Sequence, residues 1–183
     1  MDRTCSILLV PFFAGEWRFA SPLSLKLEEI FSLEVVWSSP EPLPAGSFDS
    51  QRGQHRAFEL LRAACMGKTA ENQIVLGITH EDIYEGQLNF VFGLASAAYR
   101  CAVISTARLS NRFYGMVEDE NLFFRRLVTE AVHEIGHTLG LEHCPDPHCV
   151  MHFSNSLSET DIKGYRFCEV CRRKADRALA LCR

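Results

Sequence analysis

Along the first half of the chain the spacing of apolar residues changes repeatedly, and each change predicts a new element. Residues 7–10 are an unbroken apolar run of the kind a buried strand carries, and Pro11 ends it. Ser21-Pro22 reads as a helix start, serine as cap and proline in the first turn, because Leu23, Leu27, Ile30 and Phe31 follow at helical spacing. Leu33 to Trp37 is strand-like, and the proline-rich stretch 40–46 is a loop. Asp49 or Ser50 is positioned to cap a second helix running through Cys65, with Ala57, Leu60, Leu61 and Ala64 facing inward. Ile74 to Ile78 suits a buried parallel strand, and Leu88–Gly93 and Ala102–Ala107 predict two more strands. A long helix follows from about Asn121 to Leu139, its apolar stripe being Leu127, Ala131, Ile135 and Leu139. Strand–helix alternation of this kind predicts an α/β fold with a mixed, mostly parallel sheet packed on helices.

Past Gly140 the pattern dissolves into a stretch rich in Cys, Pro and His. Ser158-Glu159-Thr160-Asp161 reads as a capping signal for a short helix, and a last helix is expected from Cys171 to Leu181. The expected organisation is one domain with two parts: about 1–140 with the sheet and long helix, and about 141–183 with little apolar material and in need of a staple.

Composition narrows the classes. A chain of 183 residues with 47% hydrophobic residues is long enough for one real core. The net charge of −4 gives no reason to expect nucleic-acid or anionic-membrane partners, and Arg172-Arg173-Lys174 reads as a solvated helix face. No apolar stretch is long enough to cross a bilayer. Behind Met1-Asp2-Arg3-Thr4 the short run from Ile7 to Ala14 is interrupted by Pro11 and lacks an export cleavage pattern, so a cytoplasmic monomer is expected. Cys5, Cys65, Cys101 and Cys182 are scattered among apolar or end-of-element positions and are expected as buried reduced thiols.

The candidate chemistry is concentrated between His133 and Cys171. Residues 133–143 read His-Glu-Ile-Gly-His-Thr-Leu-Gly-Leu-Glu-His. His133 and His137 lie one turn apart on one helix face, so both reach a single metal ion. His143 would rotate off that face if the helix continued. Gly140 supplies the left-handed residue that ends the helix and lets the chain return. Three imidazoles leave one tetrahedral zinc position open, as catalytic sites require, and Glu134 stands beside the first ligand as a general base and acid. A run of this length with glycine and third histidine in place outweighs surface histidines on an ordinary helix.

Downstream, Cys144 and Cys149 pair with Cys168 and Cys171 in the spacing of a closed four-thiolate zinc site; His148 and His152 read as solvated loop histidines, with replacement of one thiol by either as the lesser alternative. Two disulfides are the competing reading; the absence of secretory features favours metal-bound thiolates. Because neighbouring side chains on an extended segment point apart, His143 and Cys144 should serve different ions, on the order of 10–15 Å from each other.

From His133 to Cys171 the chain resembles the archaemetzincin family of zinc metallopeptidases. The resemblance rests on the H-E-x-x-H-x-x-G-x-x-H helix, the four cysteines, and Met151 in Cys149-Val150-Met151, which matches the methionine turn beneath the metal. Phe153 occupies the place where some metzincins carry a zinc-binding tyrosine. The resemblance implies a metzincin-like sheet and a zinc-stapled C-terminal subdomain. It also implies two zinc ions, one catalytic and one structural, and hydrolysis of a peptide or protein substrate, with aminopeptidase and internal cleavage both open. By the same analogy, the strand pair between Leu88 and Ala107 offers the edge to which an extended peptide adds. A catalytically silent zinc-stabilised binding or regulatory module, its cleft filled by a side chain or loop, is the alternative; cleavage of a non-peptide amide is a third reading.

Overall fold

The computed structural model describes residues 5–182; the Met1–Thr4 segment lies outside the described residues. Its frame is a five-stranded sheet built from β1 (Ser6–Pro11), β2 (Glu34–Trp37), β5 (Ile74–Thr79), β7 (Gly93–Ser96) and β8 (Cys101–Ser105) in the order β2-β1-β5-β8-β7. All neighbours pair in parallel except β7, which runs antiparallel to β8 and forms an edge. A second, three-stranded sheet joins β3 (Phe48–Asp49), β4 (Gln54–Arg56) and β6 (Ile83–Tyr84).

Strand alternation sorts the core into two faces. Ile7, Leu9, Ile74 and Leu76 pack on one side with α1 (Ala20–Phe31), α3 (Glu120–Thr138) and α5 (Glu169–Ala180). Leu8, Val10, Val75 and Val103 pack on the other with α2 (Ala57–Met66). The predicted stripe of α3 is the contact surface: Leu127, Ala131 and Ile135 are fully buried. The helix begins where Asp119 accepts a hydrogen bond from the Leu122 N–H at 3.0 Å. A short α4 (Leu157–Lys163) is fastened to α3 by a bidentate Arg126–Asp161 pair, with both N···O distances 2.7 Å.

Several expected boundaries shift, each for a local reason. Phe19, not Ser21, precedes α1, which places Ser21 and Pro22 within its first turn. Asp49 does not cap α2. Its Oδ1 accepts from the Gln51 and Arg52 N–H groups in a turn between β3 and β4, and the helix starts only at Ala57. The strand expected at Leu88–Gly93 begins where that stretch ends. Residues before it are held by other partners: Val91 N–H donates to the Ile83 carbonyl, and Gln54 donates to the Asn89 carbonyl. The cap of α4 is Ser156, with Glu159 reaching back to the Asn155 N–H, one capping box earlier than expected.

The scattered cysteines are a larger correction. Cys5 pairs with Cys182 and Cys65 with Cys101, at Cα separations of 5.5 and 5.8 Å, so none of the four is a reduced thiol. The fold brings β1 beside the end of α5, and the end of α2 beside the start of β8, a proximity that sequence separation conceals. These bridges weaken the redox argument for a reducing compartment, since disulfides persist in oxidising surroundings and in hyperthermophilic cells. Among the described residues no helix is long and apolar enough to cross a membrane.

Candidate metal centres and the active-site cleft

The second half of α3 carries His133 and His137 on its cleft-facing side, and the helix then stops in a defined way. Gly140 adopts φ +81°, its N–H donates to the His137 carbonyl, and the Leu141 N–H reaches back to the Gly136 carbonyl at 3.1 Å. This is the Schellman geometry, with buried Leu141 as its apolar anchor. The same turn orients a candidate ligand: the Leu141 carbonyl accepts from His137 Nδ1 at 2.7 Å. His133 Nδ1 likewise donates to the Val150 carbonyl at 2.7 Å. With both Nδ1 atoms protonated, both Nε2 atoms are bare acceptors, yet they stand 3.1 Å apart. Two facing lone pairs at that distance repel unless a cation lies between them. A tetrahedral zinc with bonds of about 2.0–2.1 Å would set its nitrogens about 3.3 Å apart, so the pair fits the ion.

His143 completes the group, its ring centroid 4.8 Å from that of His137 and 5.5 Å from that of His133. Burial lowers the tendency of all three imidazoles to protonate, most of all at His133, where the Lys163 charge adds to it. Neutral imidazole is the form that binds metal.

Glu134 is 5% exposed and lines the cleft beside the triad. Burial raises its carboxyl to about 8; the Glu130 charge adds to the shift and Lys163 opposes it. A cation held by the imidazoles would act in the opposite direction. Its space is supplied by Gly93 at the start of β7, where a Cβ would lie 2.7 Å from Glu134 Oε1. Met151 is fully buried and packs against Gly136, between the two helical histidines, where a Cβ would collide with its sulfur. Phe153 sets its ring against His143, centroids 4.9 Å apart, and brings no oxygen to the site.

The second group is separate. Cys144, Cys149, Cys168 and Cys171 converge as free cysteines, with neither His148 nor His152 among them. Cys144 Sγ lies 3.8 Å from Cys168 Sγ. Zinc–sulfur bonds of about 2.3 Å in a tetrahedron place sulfurs about 3.8 Å apart, so this donor set also fits zinc. His152 Nδ1 instead donates to the Cys144 carbonyl at 2.9 Å. Burial pushes the Cys149 and Cys171 thiols up. Burial also opposes ionisation of Cys168, but the Cys171 N–H and neighbouring thiols outweigh it and hold that thiol below its usual range. The Cys144 N–H donates to the Met151 carbonyl at 2.9 Å, which joins the cluster to the turn beneath the triad.

Four contributors escaped the sequence reading: Gly93, Gly136, Glu130 and Lys163. Glu130 left a trace, being a buried-face carboxylate one turn before Glu134. Lys163 left none, because its pairing with Glu130 depends on how α4 folds against α3.

The triad, Glu134 and the edge strand β7 line one open cleft of about 840 Å³. A family model described as peptidase family M54 matches residues 65–177. The archaemetzincin of Pyrococcus furiosus is 38% identical over 94% of this chain and 93% of its own length. That of Pyrococcus abyssi is 47% identical over 73% of this chain and 71% of its own. The crystal structure of the Methanopyrus kandleri archaemetzincin superposes with a TM-score of 0.84 at 38% identity, covering 97% of both chains. The Archaeoglobus fulgidus archaemetzincin, crystallised with malonate, gives 0.79 at 35% identity over 92% of this chain and 99% of that one. With a three-histidine site and a four-cysteine cluster that both fit zinc, the chain belongs to peptidase family M54, the archaemetzincin family of zinc metallopeptidases.

Proposed function

We propose that the protein hydrolyses peptide bonds in the cleft between α3 and β7, with His133, His137 and His143 holding a catalytic zinc and Glu134 moving the proton. The observation that carries this reading is the pair of bare Nε2 atoms 3.1 Å apart beside a buried carboxylate in an open cleft. Zinc bound there supplies a Lewis acid that activates water and polarises the scissile carbonyl. Glu134 accepts the proton of the attacking water on its carboxylate and delivers it to the leaving amine. Val150 and Leu141 fix the tautomers that leave Nε2 available on His133 and His137.

The substrate backbone has an evident partner. The Ser105 N–H donates to the Phe92 carbonyl, so on the β7–β8 register Leu94 and Ser96 also turn their main-chain groups to β8. Gly93 and Ala95 then turn theirs to the open edge, where an extended peptide adds as a further strand. In this reading the chain divides near Gly140 into a sheet-and-helix part and a part braced by zinc on Cys144, Cys149, Cys168 and Cys171. The open cleft favours an enzyme over a silent binding module, which would need that space filled.

The deciding experiment is Glu134→Gln with metal analysis. Two zinc ions per chain should persist while cleavage of a peptide library falls by orders of magnitude. A variant that cleaves as fast as its parent removes Glu134 from the mechanism. Replacing Cys168 by Ser should remove one zinc and leave the histidine site loaded at saturating metal.

A further inference from the structure

We infer that the recess of the cleft lined by Lys163 and Glu130, beside His133, recognises a carboxamide side chain, Asn or Gln, flanking the scissile bond. This deepens the peptide-hydrolase reading and rests on it. Lys163 and Glu130 both line the cleft, with side chains only 1% and 3% exposed and Nζ 3.2 Å from Oε1. The ammonium has three N–H groups. One faces Glu130, and a second donates to the His152 carbonyl at 3.3 Å. His133 Nδ1 is 3.4 Å away, but its own proton is committed to Val150, so it has no lone pair to offer the third. On Glu130, the contacts from Lys163 and from the Thr160 hydroxyl both fall on Oε1, leaving Oε2. Ser154, which also lines the cleft, has a buried hydroxyl with no hydrogen-bond partner among the described residues.

The recess therefore offers a donor and an acceptor, with the ion pair already neutral. A carboxamide matches the pair: its oxygen accepts from Lys163, and its NH2 donates to Glu130. A carboxylate has no proton for Oε2 and meets the Glu130 charge. A cationic side chain meets Lys163. An apolar side chain displaces water and leaves buried polar groups unpaired, a loss on the order of tenfold to a hundredfold in binding.

The test uses zinc-loaded E134Q protein, which retains the cleft without turnover, titrated calorimetrically with blocked peptides. These differ only in the residue on either side of the bond: Gln, Asn, Glu, Leu or Lys. The carboxamide peptides should bind about tenfold or more tighter than their Leu counterparts. Adding E130Q, which keeps the side chain's size but puts an NH2 where the ligand's NH2 must donate, should narrow that ratio several-fold, and K163M should abolish it. Equal or tighter binding of Leu or Glu peptides, or no binding of any, overturns the inference. Carboxamide-selective binding alongside a parent protein that cleaves nothing would instead sink the hydrolase reading and leave the recess standing.

Discussion

Replacing Gly136 by Ala sets two opposed effects against each other at the centre of the site. In a helix interior the change should stabilise by about 1 kcal/mol, from propensity alone. Here the added Cβ collides with the sulfur of Met151, which is fully buried and cannot swing away without repacking. Overpacking of that kind costs about 1–3 kcal/mol, so the net change should be a loss of roughly 0–2 kcal/mol. Metal binding should suffer more than stability. The Met151 carbonyl is tied to the N–H of Cys144, the residue after His143, so displacing the turn disturbs the third imidazole. Loss of such outer support lowers metal affinity about 10- to 100-fold. Calorimetric unfolding and chelator competition would measure the two effects, in parent and Met151→Ala backgrounds. With the sulfur gone, Gly136→Ala should become stabilising by the helical gain. If it stabilises equally in both backgrounds and leaves zinc affinity unchanged, close approach of Met151 does not support the site.

Stripped of metal, the protein should be less stable at pH 8 than at pH 6.5. Glu134, raised from 4.5 to about 8, keeps its proton only in the folded state over that interval, a loss of about 2 kcal/mol as pH rises. Glu134→Gln should flatten the trend in denaturant titrations; an unchanged slope would assign it to another group. Below pH 6.5 the imidazoles, lowered in the fold, reverse the sign, because the unfolded chain then binds the extra protons. Cys182→Ala opens a ring spanning 177 positions and should cost about 5 kcal/mol by loop entropy, read as a fall in Tm that reductant does not deepen at that bridge. Arg126→Met should destabilise by about 3–5 kcal/mol by stranding Asp161, and Asp161→Asn introduced with it should recover part of the loss in equilibrium unfolding.

The candidate metal ligands were legible because their spacing is local: two histidines one turn apart, a glycine that breaks the helix, cysteines in two short loops. The parallel sheet was legible from apolar runs such as Ile74–Ile78, buried on both faces. What sequence concealed depends on contacts between distant segments. Asp49 looks like a helix cap, and only the pairing of β3 with β4 shows why it serves a turn. Leu88–Gly93 has strand composition, but Gln54 and Ile83 bond the main chain of Asn89 and Val91, and pairing with β8 begins only at Phe92. Cys5 and Cys182 are unrelated by any short pattern, and Lys163 acquires its role only when α4 folds onto α3.

With one ion on His143 and the other on Cys144, as proposed, the two sites would share a hinge of one peptide bond. Ordering the thiol cluster pins the segment that the third imidazole must use, so filling that site prepays part of the entropy of filling the other. Linkage would make the assistance mutual and positive in sign. Under metal scarcity such a chain tends toward doubly loaded and empty molecules, with few holding a single ion, which would switch the enzyme with zinc supply more sharply than independent sites allow.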